Sequence, residues 1–377
     1  MTLTTPRELF PQALREAIAS HAAEYDRQGE FPEKSLQSLR EARLLGLTVP
    51  EDLGGFGQGP TAVAQVLEQI AESDASVAMI FLMHLCATEV IKQSTMPARE
   101  AILRAIAAGQ HLSTLAFSEK GSRSHFWVSM ATVKVDGERH LLQVQKSFVT
   151  TAGHADSYVV SLRASEAKAP TDSSIYLVEA RHGGWTTQPW DGLGLRANAS
   201  RPMAFDCAVG PGDRVSPDGG GFNVMLSVVL PWFTLGSSAV ANGIAKGALE
   251  AATRHLQAAR FEYAGNALSS LPTVWARLAA ARVSLDAARS LTWETARAIE
   301  QPTEETMLRV LQCKASSGEM ALQVTDAAMR LCGGAAFAKT LPVERYFRDA
   351  RACSVMAPTS DVLYEFIGKS LLGLPLF

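Results

Sequence analysis

From Val224 to Ala245 the chain carries no charged residue, and this stretch constrains the fold most. A helix of that length reaches across the hydrocarbon core of a bilayer. Ser227, Pro231, Ser237, Ser238 and Asn242 interrupt it, however, and its many small residues suit close packing against other helices. The expectation is a buried helix at the centre of a helical assembly, not a membrane span. The rest of the chain can supply that assembly: 377 residues, 47% hydrophobic and 19% charged, suffice for a large core made of two or three packed parts.

Texture along the chain separates those parts. From Glu8 to about Ala108 the pattern is helical; Leu36, Leu39 and Leu44 share one side of a helix that Gly46 should end, and Thr61–Glu72 and Ser76–Ser94 read as two apolar helices. The glycine-rich stretch Pro50–Gly59 spells no dinucleotide fingerprint and reads as a loop. Past Leu112, short runs rich in Val, Thr, Phe and Tyr predict strands at Met130–Val135, Leu141–Thr151, Ser157–Leu162, Ser174–Val178, Gly184–Gln188 and Pro202–Asp206, with Asp136-Gly137 as a hairpin turn. From Phe222 onward the chain is helical again, with bundle-length runs such as Val274–Ile299. The predicted class is α+β, with a helical domain over 1–111, a β domain over 112–220 and a helical bundle over 221–377.

Several function classes are disfavoured. A net charge of -3 without a basic cluster argues against nucleic acid and anionic membranes. The five cysteines are odd in number and lack paired spacing, so a reducing, cytoplasmic setting and no metal site are expected. No apolar signal segment is read at the N-terminus.

A set of motifs, in order, points further. Leu115-Ala-Phe-Ser-Glu-Lys-Gly-Ser-Arg-Ser-His125, Lys146-Ser-Phe-Val-Thr150, Gly243, Arg260-Phe-Glu-Tyr263, Arg330-Leu-Cys-Gly-Gly334 and Arg345-Tyr-Phe-Arg-Asp-Ala-Arg351 together resemble the acyl-CoA dehydrogenase superfamily of FAD enzymes. The resemblance covers nearly the whole chain and implies that family's order of helical, β and helical domains. It implies Phe117 and Ser118 beside the isoalloxazine, Ser124 on the phosphate side, Phe148 as an aromatic wall and Thr150 as a hydroxyl near the reactive nitrogen. It implies Arg260, Arg330, Gly333 and Gly334 as FAD contacts supplied across a subunit interface, hence a homotetramer or homodimer. Taken singly, each has an ordinary reading: a solvated arginine, a helix-ending glycine pair, a core phenylalanine. Their joint occurrence favours FAD.

The same resemblance exposes a gap. Where the family carries a Glu-Gly-Thr, whose glutamate removes the proton next to a thioester carbonyl, this chain has Ala357-Pro358-Thr359. An alternative family position for the base falls at Phe233, beside Trp232 and Thr234, so Trp232, Phe233 and Ala357 are expected to line a substrate pocket for a compact or ring-shaped group. Substitute acids or bases are Asp361, in the first turn of the last helix where acids are usually structural, His125 next to the flavin block, and more weakly Glu365 and Tyr364. Two enzymatic readings stay open, with an inactive structural homologue as a third. One is an oxygenase using O2 and a separate reductant; the other is a dehydrogenase of a CoA thioester with a relocated base; a flavin reductase or an electron-transfer flavoprotein is the partner to expect. The paired loss favours oxygenation.

Overall fold

The computed structural model describes residues 9–263 and 265–376. Among the described residues the N-terminal part has the helices α1 (Gln12–Gln28), α2 (Glu33–Glu41), α3 (Pro60–Ala71), α4 (Ala75–Gln93) and α5 (Arg99–Ala107). Leu36, Leu39 and Leu44 are all buried, but α2 stops at Glu41, and Leu44 belongs to a separate tight turn entered through Arg43 at φ 56°. Gly46 is not the helix stop expected of it. Its role is close packing, since a Cβ there would lie 2.7 Å from the Ala107 Cα. Asp74 opens α4 by accepting hydrogen bonds from the Ser76 and Val77 amides, at 2.8 and 3.2 Å.

The middle part holds two sheets. One is ordered β1 (Ser113–Ala116), β4 (Ser157–Arg163), β5 (Ser173–Glu179); the other β2 (Lys134–Asp136), β3 (Arg139–Val149), β7 (Arg201–Val209), β6 (Trp185–Thr187). Asp136 pairs with Arg139 across the predicted hairpin turn, with Gly137 at φ 60°. Strand β1 lay hidden from sequence reading: all of its residues are buried, so Ser113 to Ala116 shows no alternation. The Met130 run contributes only its end to a strand. Leu142, Val144, Tyr158, Val160, Tyr176 and Phe205 form the core the sheets share.

The C-terminal part begins with α6 (Gly221–Val224), which passes through a π-helical turn (Met225–Val229) into α7 (Leu230–Ala258). Then come α8 (Pro272–Glu300), α9 (Thr306–Cys332), α10 (Gly334–Phe337), α11 (Val343–Val355) and α12 (Ser360–Leu371). The stretches Ala75–Gln93 and Gly221–Ala258 are long and apolar enough to cross a membrane, but 89% and 67% of their most apolar windows are buried within the fold, which marks them as core helices. Glycine explains how α7 fits so centrally. A Cβ at Gly243 would run into the Glu68 carbonyl and stand 2.6 Å from the Ala71 Cβ, so α7 and α3 touch backbone to backbone there.

Candidate active site

Strand β3 buries His140, Leu142, Val144 and Lys146 in strict alternation, which would carry Phe148 inward as well. Instead the pairing with β7 slips between Lys146 and Val149. This bulge, with Phe148 at φ 53°, turns the ring outward and leaves it 67% exposed, edge-on to Trp190. An exposed phenylalanine held in an unfavourable backbone region is a surface that expects a partner.

The outward ring borders a cleft between the sheets and the helices, about 420 Å³ of empty space when its open mouth is included. Its lining combines Leu115, Phe117, Ser118 and Phe126 from β1 and the segment after it, Ser147 and Phe148 from the bulge, Met83 from α4, Val229 and Phe233, and Ala357 from the link between α11 and α12. None of these is acidic or basic. Pro231 explains why the helix wall takes the form it does. It has no N–H for the carbonyl of Ser227, and the wide turn ending at Val229 takes up the mismatch. The Thr234 hydroxyl then donates to the carbonyls of Leu230 and Pro231, at 2.8 and 3.2 Å. Val229 and Phe233, four residues apart, face the cleft together.

A buried pair fixes the opposite edge. Lys146, 1% exposed, donates from Nζ to Glu119 Oε1 at 2.8 Å, to the Phe117 carbonyl at 3.1 Å and to Ser161 Oγ at 3.2 Å. Burial pushes its pKa down to about 8, against the opposing pull of Glu119. The Ser147 amide donates to the Ser118 carbonyl at 2.8 Å. The Phe117–Glu119 segment and the bulge are thus locked to each other.

Of the residues read from sequence, Phe117, Ser118, Phe148, Phe233 and Ala357 meet in this cleft. Thr150 lies buried just beyond the bulge, its carbonyl accepting from Thr114 Oγ1 at 2.9 Å and its hydroxyl 3.4 Å from Ser200 Oγ. Trp232 does not join the lining. One position from Phe233 it points about 100° away, and Lys92 Nζ stands 5.8 Å over its ring. Asp361 is exposed in the first turn of α12 and outside the lining. His125 is exposed as well, its ring 5.1 Å from that of Trp127, while Ser124 sits half-buried in the preceding turn. Glu365 is exposed and paired with Lys369 at 2.6 Å, and Tyr364 is exposed on the same helix.

Arg260, Arg330, Gly333 and Gly334 lie on the surface, away from the lining. Arg330 pairs with Asp326 at 2.7 Å; Gly333 holds φ 56°, and neither glycine has an atom within 4 Å of where a Cβ would stand. Sequence reading missed Met83, Leu115, Phe126, Ser147 and Val229. Helix α4 is apolar on every side, so no periodicity singles out Met83.

Three consecutive stretches match the family profiles for the acyl-CoA dehydrogenase N-terminal domain (residues 4–110), middle domain (114–208) and C-terminal domain (219–372). The chain belongs to the acyl-CoA dehydrogenase family. This family member is 28% identical over 361 residues to the probable acyl-CoA dehydrogenase FadE25 of Mycobacterium tuberculosis, covering 94% of this chain and 91% of that one. Its fold is shared with the butyryl-CoA dehydrogenase of Megasphaera elsdenii (TM-score 0.90, 22% identity, 99% of each chain). It is shared also with the dibenzothiophene monooxygenase TdsC of Paenibacillus sp. A11-2 (TM-score 0.85, 20% identity, 97% of each chain). At those identities the likeness establishes the fold alone, and one fold carries both a dehydrogenase and a monooxygenase.

Acyl-CoA dehydrogenase family enzymes bind FAD, and this chain is a flavoprotein of that family. The cleft fits the ring system of that cofactor. An isoalloxazine needs desolvated faces and a few edge partners; the phenylalanine-rich lining offers the first, and the polar Ser118 and Ser147 in that lining suit the second.

Proposed function

We propose that this acyl-CoA dehydrogenase family flavoprotein is an FAD-dependent oxidoreductase that uses O2 to oxygenate a compact acyl or aryl substrate, carried as a CoA thioester. One observation carries the reading: Phe233 and Ala357, the two positions at which the family resemblance places a catalytic carboxylate, both line the cleft, and no acidic residue lines it with them. Removing a proton alpha to a thioester takes a base within hydrogen-bond reach of that carbon. Asp361, the acid nearest in sequence to Ala357, is exposed to solvent instead.

Bound FAD would supply two-electron redox chemistry. The residues of the chain prepare the place for it. Phe117, Phe148 and Ser118 would hold the ring system, while Phe126, Phe233, Val229 and Ala357 exclude water from the substrate side. Ser147 and Thr150 would offer edge hydrogen bonds. Because such a site gives the substrate no base with which to start its own oxidation, electrons are expected from a separate donor, a flavin reductase or an electron-transfer flavoprotein. A homotetramer or homodimer is proposed as the working form, with Arg260, Arg330, Gly333 and Gly334 reaching a neighbouring subunit's FAD.

The test is anaerobic mixing of the flavin-loaded protein with saturated acyl-CoA and aryl-CoA thioesters while the visible flavin band is followed. An unbleached band, then oxygen incorporated into a thioester once reductant and O2 are added, is the expected result. Bleaching by a saturated thioester alone would overturn the reading in favour of α,β-dehydrogenation.

A further inference from the structure

Lys314, on α9, is 2% exposed. Buried lysines normally carry a carboxylate partner. Here Nζ instead donates to three main-chain carbonyls: Cys353 at 3.4 Å, Met356 at 3.0 Å and Pro358 at 2.8 Å. Cys353 and Met356 precede Ala357 and Pro358 follows it. An ammonium has three hydrogens to give, one for each of these oxygens. Met356 and Ala357 pack against the core, but no side-chain cap holds the main chain there, since α11 ends at Val355 and Thr359 gives α12 none.

We propose that Lys314 is a positioning residue of the cleft: by gripping the carbonyls on either side of Ala357, its ammonium sets where that wall of the pocket stands. The claim that this wall matters to flavin or substrate rests on the function proposed above, whereas the grip itself does not. The three carbonyls belong to the end of α11 and the link after it, where backbone oxygens have no helical partners. A single side chain from another helix therefore ties these three carbonyls together.

The surroundings make the grip responsive to pH. The titratable groups acting on Lys314 are the thiols of Cys353 on α11 and Cys313 on its own helix, pushed up by burial to about 12 and about 11. Asp349 and Arg351 act on Cys353 instead, and the group from α7 is the neutral Ser238 hydroxyl, 2.9 Å from Cys313 Sγ. With no counter-charge, burial pushes the Lys314 pKa down to about 8. Above that pH the neutral amine has two hydrogens for three carbonyls and the segment loosens. Global stability moves the other way. The folded lysine gives up its proton before the unfolded one, so this group adds stability as pH rises from about 8 towards its ordinary value. Local loosening without global weakening is a signature that ordinary alkaline unfolding does not produce.

The experiment is amide exchange by mass spectrometry on the flavin-loaded protein, as protection factors corrected for intrinsic rate, below and above pH 8. The expected result is a drop of about tenfold for residues 355–360 above pH 8, with α7 unchanged. Lys314→Met should show that lower protection at both pH values and no step between them, and should shift the flavin absorbance envelope. Flat protection across pH 8 in the wild-type protein overturns the proposal, and that arm needs no variant to fold. A step in the wild type together with an unshifted flavin envelope in a folded Lys314→Met would keep the grip but remove its role in the cleft.

Discussion

Arg348 grips Asp26 with both prongs of its guanidinium, Nη1 2.9 Å from Oδ1 and Nη2 2.6 Å from Oδ2, joining α11 to α1 from opposite ends of the chain. The other members of the Arg345–Arg351 motif act alike. Arg345 donates to the Ser73 carbonyl at 3.0 Å, Asp349 accepts from the Leu195 amide at 2.7 Å, and Arg351 reaches Thr325 Oγ1 at 3.0 Å. The motif is a brace that fixes α11, the helix leading into Ala357, against four other places: α1, the α3–α4 link, the β6–β7 link and α9.

Asp26→Asn should therefore weaken the fold by about 2 kcal/mol, since it strips a largely buried guanidinium of its charge partner. Glu344, 2.7 Å from Arg348 Nε, limits the loss. Urea unfolding at neutral pH measures it, and an unchanged midpoint would mean the pair is idle.

Asp349 gives the stability a pH slope. Burial pushes its carboxyl up to about 7, opposed by the Leu195 amide and Arg345. The folded state thus holds a proton that the unfolded state releases, so this group contributes stability that is complete below about pH 4 and is lost as pH rises to about 7, up to about 4 kcal/mol in all. Asp349→Asn keeps an acceptor for Leu195 and should flatten the melting temperature over that window.

Gly243→Ala should cost about 1–3 kcal/mol, because the new methyl meets the backbone of α3, which cannot move aside alone. Gly334→Ala meets nothing within 4 Å and should melt as the wild type does. Thermal melts of the two variants side by side make the comparison.

Phe148→Ala should leave stability nearly unchanged, since the ring is 67% exposed, yet lower the flavin-to-protein ratio that survives gel filtration. Equal retention of FAD would remove Phe148 from the cofactor wall.

His125→Ala should leave turnover within about twofold of wild type, in keeping with an exposed ring outside the cleft. A large fall, with FAD still bound, would return His125 to the chemistry.

The architecture was legible wherever periodicity was strong: α3, α4 and α8 lie within two residues of the ranges predicted for them, and five of the six predicted strand runs pair much as the alternation suggested. It failed where burial is total, as at β1, and where a bend breaks a pattern, as at Arg43. For the cleft, the order of motifs located Phe117, Ser118, Phe148, Phe233 and Ala357. Trp232 shows the limit of such reading, because neighbours in a helix look in different directions. Lys146 and Lys314 could not be found as buried donors, since nothing in a sequence distinguishes a lysine that bonds carbonyls from one in water.

The π-helical turn at Met225–Val229 also bears on how this chain can change. Closing it into ordinary α-helix by deleting one residue would swing everything upstream by about 100° about the helix axis, taking Phe222 and the end of the β domain with it. Point replacements along this wall leave that frame as it is. A change of length does not, so the cavity can be re-lined but hardly re-framed.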